Sequence, residues 1–317
     1  MTISKIESNK IYQESCLETL KKMPNDFLDC VITSPPYWQL RDYGYDGQWG
    51  LEPTFQEYLE HLWEMMDEIY RVLKPTGTCW INLGDTYSRK GGKSIGKLQP
   101  NALLGNTKKG VRGGNCNGVE GVMEKCLLLI PHRFAIGCID RGWIVRNDII
   151  WAKRNAMPES CTDRFAKKHE YFFFMVKSEK YHFDLDAIRD KTITPPQMRN
   201  KAEEEFGNGT SNFSKGERQW GSDKGKNPGS ISDFWDIPTK PSTNEHYASY
   251  NDDLIRKPIL GGCPVGGIIY DPFMGTGSTA EASLRANRQF IGSEMSEKYV
   301  EICNTRLEPF LIQQKLF

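Results

Sequence analysis

Apolar positions along the chain follow two periodicities. Residues 27–33 (FLDCVIT) form a β-rich apolar run ending at a Pro-Pro pair, which predicts a buried strand halted by residues without N–H donors. Thr54 and Glu57 then stand at capping-box spacing, and Tyr58, Leu59, Leu62, Trp63, Met66, Ile69, Tyr70 and Leu73 keep a helical period as far as Lys74. Pro75 and Gly77 stop that helix, and residues 78–83 (TCWINL) read as the next buried strand. Strand, long helix and strand make a βαβ unit. The pattern is lost over residues 88–118, where eight glycines and seven Lys or Arg occur without one acidic residue. It resumes with a helix over 124–141 and strands at 143–151 and 170–177, then breaks again over the polar residues 191–232. Helices at 252–260, 277–287 and from about 296, with strands at 266–271 and 290–294, close an α/β pattern without internal repeats.

Composition mainly excludes. The longest apolar run, Tyr171 to Val176, is strand-sized, far short of the roughly 18 residues of a membrane span. The N-terminal MTISKIESNK has no apolar core, so no export signal is expected and a cytoplasmic location is. Nine cysteines without a C-x-x-C pair and five histidines without H-x-x-x-H indicate neither a disulfide framework nor a metal site. Lys plus Arg and Asp plus Glu both total 41, so the chain is not uniformly basic.

Two segments carry candidate chemistry. Asp271-Pro-Phe-Met-Gly-Thr-Gly-Ser-Thr279 follows a predicted strand and opens a predicted helix. Gly275 and Gly277 permit a tight turn and close approach of a ligand to the backbone, and the helix N-terminus offers free N–H groups. As G-x-G-x-x-A (Gly275, Gly277, Ala280), with Glu294 placed to take ribose hydroxyls, the loop also fits an NAD-dependent oxidoreductase. Only about 40 residues follow it, too few for the rest of a nucleotide-binding sheet. The missing strands must come from the N-terminal half, so the order is permuted relative to a dehydrogenase. The second segment is Thr33-Ser-Pro-Pro-Tyr-Trp38, at the end of the first strand, where α/β sheets place their chemistry. Two prolines make a rigid turn whose carbonyls and Ser34 hydroxyl can serve as acceptors beside the Tyr37 ring, an arrangement suited to a planar group bearing NH₂.

Together these segments resemble the motifs of the amino-group DNA methyltransferases, which methylate cytosine N4 or adenine N6 with S-adenosylmethionine. The catalytic turn precedes the cofactor loop, as in the β group of that family. The resemblance extends to residues 40–44 (LRDYG), 77–85 (GTCWINLGD), 148–151 (DIIW) and 290–294 (FIGSE). It implies a circularly permuted Rossmann-like sheet with helices on both faces. Residues 1–87 and 124–185 would form the catalytic half, 88–123 a basic Gly-rich loop, 186–245 a small target-recognition insert and 246–317 the cofactor half.

The resemblance also implies roles. Ser34, Pro35, Pro36 and Tyr37 would be catalytic: the Ser34 hydroxyl and Pro35 carbonyl hold the amine out of the ring plane, and Tyr37 stacks on a flipped base. Asp271, Pro272, Phe273, Gly275, Gly277 and Ser278 would bind the cofactor, with Phe273 against adenine and Glu294 on the ribose. Thr33 and Cys16 join them, and Ser249 lies in a stretch resembling the cofactor-carboxylate motif. Where the family carries an acid toward the cofactor adenine, this chain has Ser15, with Glu14 one place earlier. No Pro-Cys dipeptide is present for the cytosine-C5 route, which needs a cysteine nucleophile.

Serine at the head of the turn is the more frequent choice among cytosine-N4 members, which makes N4 methylation of a flipped cytosine in double-stranded DNA the expectation and adenine N6 the alternative. RNA or a protein amide would present the same NH₂. Arg89, Lys90, Lys93, Lys97, Lys108, Lys109 and Arg112 are the expected DNA contacts. The class further implies a bacterial or phage restriction-modification enzyme, monomer or homodimer, with a cognate restriction endonuclease acting separately. Charge agrees with a DNA-facing middle: residues 86–230 hold 26 basic and 16 acidic side chains, and the remainder 15 and 25.

Overall fold

The computed structural model describes residues 6–88, 122–156, 158–189, 231–239 and 252–314. Their eight strands form one mixed sheet in the order β1-β8-β7-β2-β3-β5-β4-β6. In chain order the strands are β1 (Lys10–Tyr12), β2 (Leu28–Thr33), β3 (Leu73–Leu83), β4 (Ile144–Ala152), β5 (His169–Val176), β6 (Phe234–Asp236), β7 (Ile268–Asp271) and β8 (Gln289–Ser293). The helices are α1 (Cys16–Lys22), α2 (Phe55–Val72), α3 (Ile130–Asp140), α4 (Asp252–Gly262), α5 (Ser278–Arg285) and α6 (Glu297–Gln314).

The near-continuous apolar sequence of β2 is explained by burial on both faces. Val31, Cys79, Ile81, Phe173, Met175 and Tyr270 pack on one side, into a core shared with α1, α2 and α3. Their neighbours Cys30, Ile32, Trp80, Phe172, Phe174 and Ile269 pack on the other, against Leu254, Ile255 and Ile259 of α4. Side chains alternate across a strand, so these adjacent positions serve opposite cores. Trp80 and Phe174 stack at 4.1 Å with planes 3° apart.

Topology decides where a ligand can enter. β2 pairs in parallel with β3 on one side and β7 on the other. From β2 the chain passes through α2 to β3, and from β7 through α5 to β8 on the opposite flank. The connections leaving β2 and β7 therefore diverge, and a crevice opens beyond the carboxyl ends of the two strands. β5 runs antiparallel to β3, with Leu83 opposite Tyr171, so the start of β5 reaches that same end of the sheet.

Most expected elements lie within a few residues of their predicted bounds. The helix expected over 124–141 begins only at Ile130, because Leu129 adopts a left-handed φ of 55° and the first-turn N–H of Ile130 is capped from afar by Asp85 Oδ1 at 3.1 Å. Residues 234–236, inside the expected recognition insert, form β6 and extend the sheet beside β4. β1 and α1 lie outside the elements that the periodicity predicts.

Gly262, the last residue of α4, lies where the helix approaches β3. A Cβ there would stand 2.6 Å from Trp80 Nε1 and 2.7 Å from Thr78 Oγ1, while Thr78 donates to the Gly262 carbonyl at 2.8 Å. We expect Gly262→Ala to cost about 1–3 kcal/mol of unfolding free energy, read as a lower urea midpoint at unchanged slope.

Candidate active site

A cleft of about 820 Å³ opens at the crevice and is lined by both segments singled out in the sequence, Ser34–Tyr37 and Asp271–Gly275, together with Ser15, Cys16 and Glu294. Between the two segments stands the buried carboxylate of Asp271. Its Oδ1 accepts from the Thr33 hydroxyl at 2.6 Å and the Phe273 N–H at 3.0 Å, and its Oδ2 from the Thr279 hydroxyl at 2.6 Å. Thr33 and Asp271 thus serve the site by joining the end of β2 to the end of β7.

In the proline turn, the Pro36 carbonyl accepts from the Tyr58 hydroxyl at 2.8 Å, so Pro36 fixes the turn to α2. The Tyr37 hydroxyl donates at 2.9 Å to Asn82 Oδ1 and lies 2.8 Å from Glu170 Oε2. The Ser34 hydroxyl lies 3.3 Å from the same Asn82 oxygen, whose amide nitrogen donates to the Tyr171 carbonyl at 3.0 Å. Lys153 pairs with the other oxygen of Glu170. The Tyr37 ring keeps some exposure to the cleft, but its hydroxyl end is enclosed, and burial together with the Glu170 charge pushes the phenol well above its ordinary value. It remains a neutral donor. A Cβ on Gly84 would lie 2.7 Å from this ring, so glycine at the end of β3 leaves room for it.

On the other flank, Gly275 and Gly277 take φ of 55° and 84°, left-handed values that glycine adopts without cost. A Cβ on Gly275 would meet no protein atom nearer than the Phe273 carbonyl at 4.0 Å, leaving a cradle in the cleft wall. On Gly277 it would fall 2.3 Å from Cys303 Sγ, so a larger residue there would have to displace that side chain as well as take a strained φ. Glu294 is buried and held by two backbone N–H groups, Gly275 to Oε2 at 2.9 Å and Ser296 to Oε1 at 2.8 Å. Burial raises its pKa above the usual carboxylate range, against the opposing pull of those N–H groups. Phe273 meets Trp49 edge-on at 5.3 Å, forming an aromatic wall.

Several expected contacts are occupied by the protein itself. Ser15 caps α1 in a reciprocal box with Glu18, and Glu14 is engaged by Thr19 at 2.9 Å and by Lys22, though all three residues Glu14–Cys16 border the cleft. Cys16 is buried, which pushes its thiol up to about 12. Ser278 Oγ accepts from Arg306 at 3.1 Å, and Arg306 also bonds the Thr276 carbonyl, bracing the glycine loop from behind. Ser249 and the seven basic residues from Arg89 to Arg112 lie outside the described residues. Asn82, Glu170, Lys153 and Trp49 belong to neither of the two sequence motifs. A lone amide in the apolar strand TCWINL and a carboxylate opening EYFFFMV were the available signals.

The sequence profile of the N6/N4 methyltransferase family, described as DNA methylase, matches residues 28–305. Among curated relatives, the type II methyltransferase M.Cfr9I of Citrobacter freundii is 33% identical over 300 residues, covering 94% of this chain and 87% of that protein. Among solved structures, the PvuII cytosine-N4-specific DNA methyltransferase superposes with a TM-score of 0.62 at 17% identity, over 95% of this chain and 87% of that one. The M1.HpyAVI complex with S-adenosylmethionine gives 0.51 at 16% identity, over 94% and 99%. This decides against the nicotinamide reading of the glycine loop. The chain belongs to the N6/N4 family of DNA methylases, and its cofactor is the S-adenosylmethionine of that family.

Proposed function

We propose that this DNA methyltransferase acts on the N4 amine of a cytosine swung out of double-stranded DNA. The observation that carries the choice of base is the neutral hydroxyl of Ser34 at the head of the turn, set within 3.3 Å of Asn82. A hydroxyl can accept from the amine and also donate to the ring nitrogen beside it, N3 of cytosine or N1 of adenine. The preference for cytosine rests on serine being the more frequent residue at this place among cytosine-N4 members. In this reading the Ser34 hydroxyl and the Pro35 carbonyl accept the two N–H bonds. They tilt the nitrogen lone pair out of conjugation and stabilise the positive charge that grows on the nitrogen. Tyr37, tethered through its hydroxyl to Asn82 and Glu170, supplies the ring on which the base rests.

The cofactor half fits the expected donor. When bound, S-adenosylmethionine supplies an electrophilic methyl group on a positively charged sulfur. The Gly275 cradle offers the space, Glu294 has lone pairs left for ribose hydroxyls, and Phe273 with Trp49 offers an apolar wall for adenine. With the bacterial provenance of the curated relative and no membrane-crossing helix among the described residues, the setting we infer is the bacterial cytoplasm. A separately acting endonuclease of the same specificity completes that picture.

Single-molecule sequencing of DNA from cells expressing the protein tests the choice of base. We expect 4-methylcytosine at one short motif; 6-methyladenine would transfer the reading to adenine, and unmodified DNA would sink it. Ser34→Ala is expected to lower kcat by about 10²–10³ while leaving cofactor affinity by calorimetry unchanged. Glu294 should make cofactor affinity depend on pH. Binding needs the ionised carboxylate, so affinity is full above its raised pKa and falls as pH drops through that value, above the usual glutamate range. Glu294→Gln should weaken binding about tenfold to a hundredfold and flatten that profile.

A further inference from the structure

The segment between β4 and β5 ends in Arg164-Phe-Ala-Lys-Lys168, three cations around one aromatic ring with no acid among them. The segment is braced at its root. Glu159 accepts from Arg164 at 2.7 Å, and Arg164 also bonds the Phe165 carbonyl at 2.9 Å and lies 4.2 Å over the Tyr87 ring. Lys167 reaches the Asp85 carbonyl at 2.5 Å, and Asp163 pairs with Lys125 at 2.7 Å.

At the centre of this braced segment, Phe165 is 96% exposed. A singly exposed apolar residue is ordinary on a protein surface. Its position makes this one different: Phe165 borders the active-site cleft. Five residues further on stands Glu170, the partner of Tyr37, and Lys167 is tied to Asp85 at the end of β3. Phe165 thus belongs to the segment that leads into Glu170 at the Tyr37–Asn82 end of the cleft, where the base is received.

We propose that Phe165 is a wedge that enters the duplex at the target step and fills the gap left when the base swings into the cleft, while the flanking cations, Lys168 foremost, rest on the neighbouring phosphates. This rests on the reading of the enzyme as a base-flipping DNA methyltransferase. An extruded base leaves its neighbours unstacked, and an apolar ring inserted there restores contact and keeps the strand open. A wedge must be presented before contact, which the bracing by Glu159, Tyr87 and Asp85 accomplishes.

The test compares the unaltered protein with Phe165→Ala and Phe165→Trp on two duplexes carrying the motif found by sequencing. One duplex has the target base paired; the other has it mispaired, which lowers the cost of extrusion. Labelled methyl transfer gives kcat/KM, and calorimetry gives cofactor affinity. With its side chain in solvent, Phe165 can be truncated without disturbing the core. Phe165→Ala should lose about tenfold to a hundredfold in kcat/KM on the paired duplex, the worth of one buried aromatic ring. It should match the unaltered protein on the mispaired duplex and in cofactor affinity, and Phe165→Trp should keep activity on both. No loss, or an equal loss on both duplexes, overturns the proposal. So does a pairing-dependent defect in Leu40→Ala, the other exposed large apolar residue at the cleft among the described residues, without one in Phe165→Ala. Failure of the unaltered protein to methylate any DNA overturns instead the reading beneath it.

Discussion

Asp271 closes β7 with its carboxylate engaged on both oxygens, by Thr33 from the end of β2 and by Phe273 and Thr279 from the glycine loop. A carboxylate removed from water is tolerated only when its lone pairs are satisfied, so these three donors hold together or fail together. They belong to segments 238 residues apart in the chain. What they fix is the spacing between the proline turn, which we propose receives the acceptor amine, and the glycine loop, which we propose receives the methyl donor. A transfer reaction depends on that spacing more than on the strength of any one contact, because misplacement by a fraction of a bond length removes the alignment of attacking and leaving atoms.

Around this tie each half is stiffened in its own way. The proline turn has its backbone angles set by covalent rings, its Pro36 carbonyl bound to Tyr58 and its aromatic ring anchored through Asn82 and Glu170. The glycine loop has the opposite chemistry, free backbone angles, and gains its rigidity from outside. Arg306 holds it behind, and the buried Glu294 takes the Gly275 N–H in front. Dipoles set in place before substrate arrives need no reorganisation during the reaction, which is the main electrostatic advantage available to a site without a protein nucleophile.

How far the sequence discloses this arrangement depends on the range of each signal. β2, α2 and the glycine loop declare themselves locally: FLDCVIT is stopped by prolines, Thr54 caps its own helix, and Gly275 and Gly277 mark left-handed turns. β1 and β6 have three residues each, too few for a period, and exist because β8 and β4 offer them edges. The true start of α3 is invisible nearby because its cap, Asp85, lies 45 residues away. The same holds within the site. The Ser-Pro-Pro-Tyr turn is legible as a string, whereas the pairing of Tyr37 with Glu170 spans 133 residues and a reversal of strand direction. Ser15 shows how one position can carry a local role beside the one its motif suggests: it borders the cleft, and its side chain caps the helix it begins.

The placement of β2 between β3 and β7 has a consequence for how the protein is made. β3 follows β2 closely in the chain, but β7 emerges from the ribosome only after some two hundred further residues, at a synthesis rate of about 5–20 residues per second. Throughout that interval one edge of β2, a strand buried along its whole length in the finished fold, has no partner. An apolar edge of this kind is a template for wrong pairing. The permuted order thus places the hazard in the nascent chain, and it lasts until β7 arrives and brings Asp271 to Thr33.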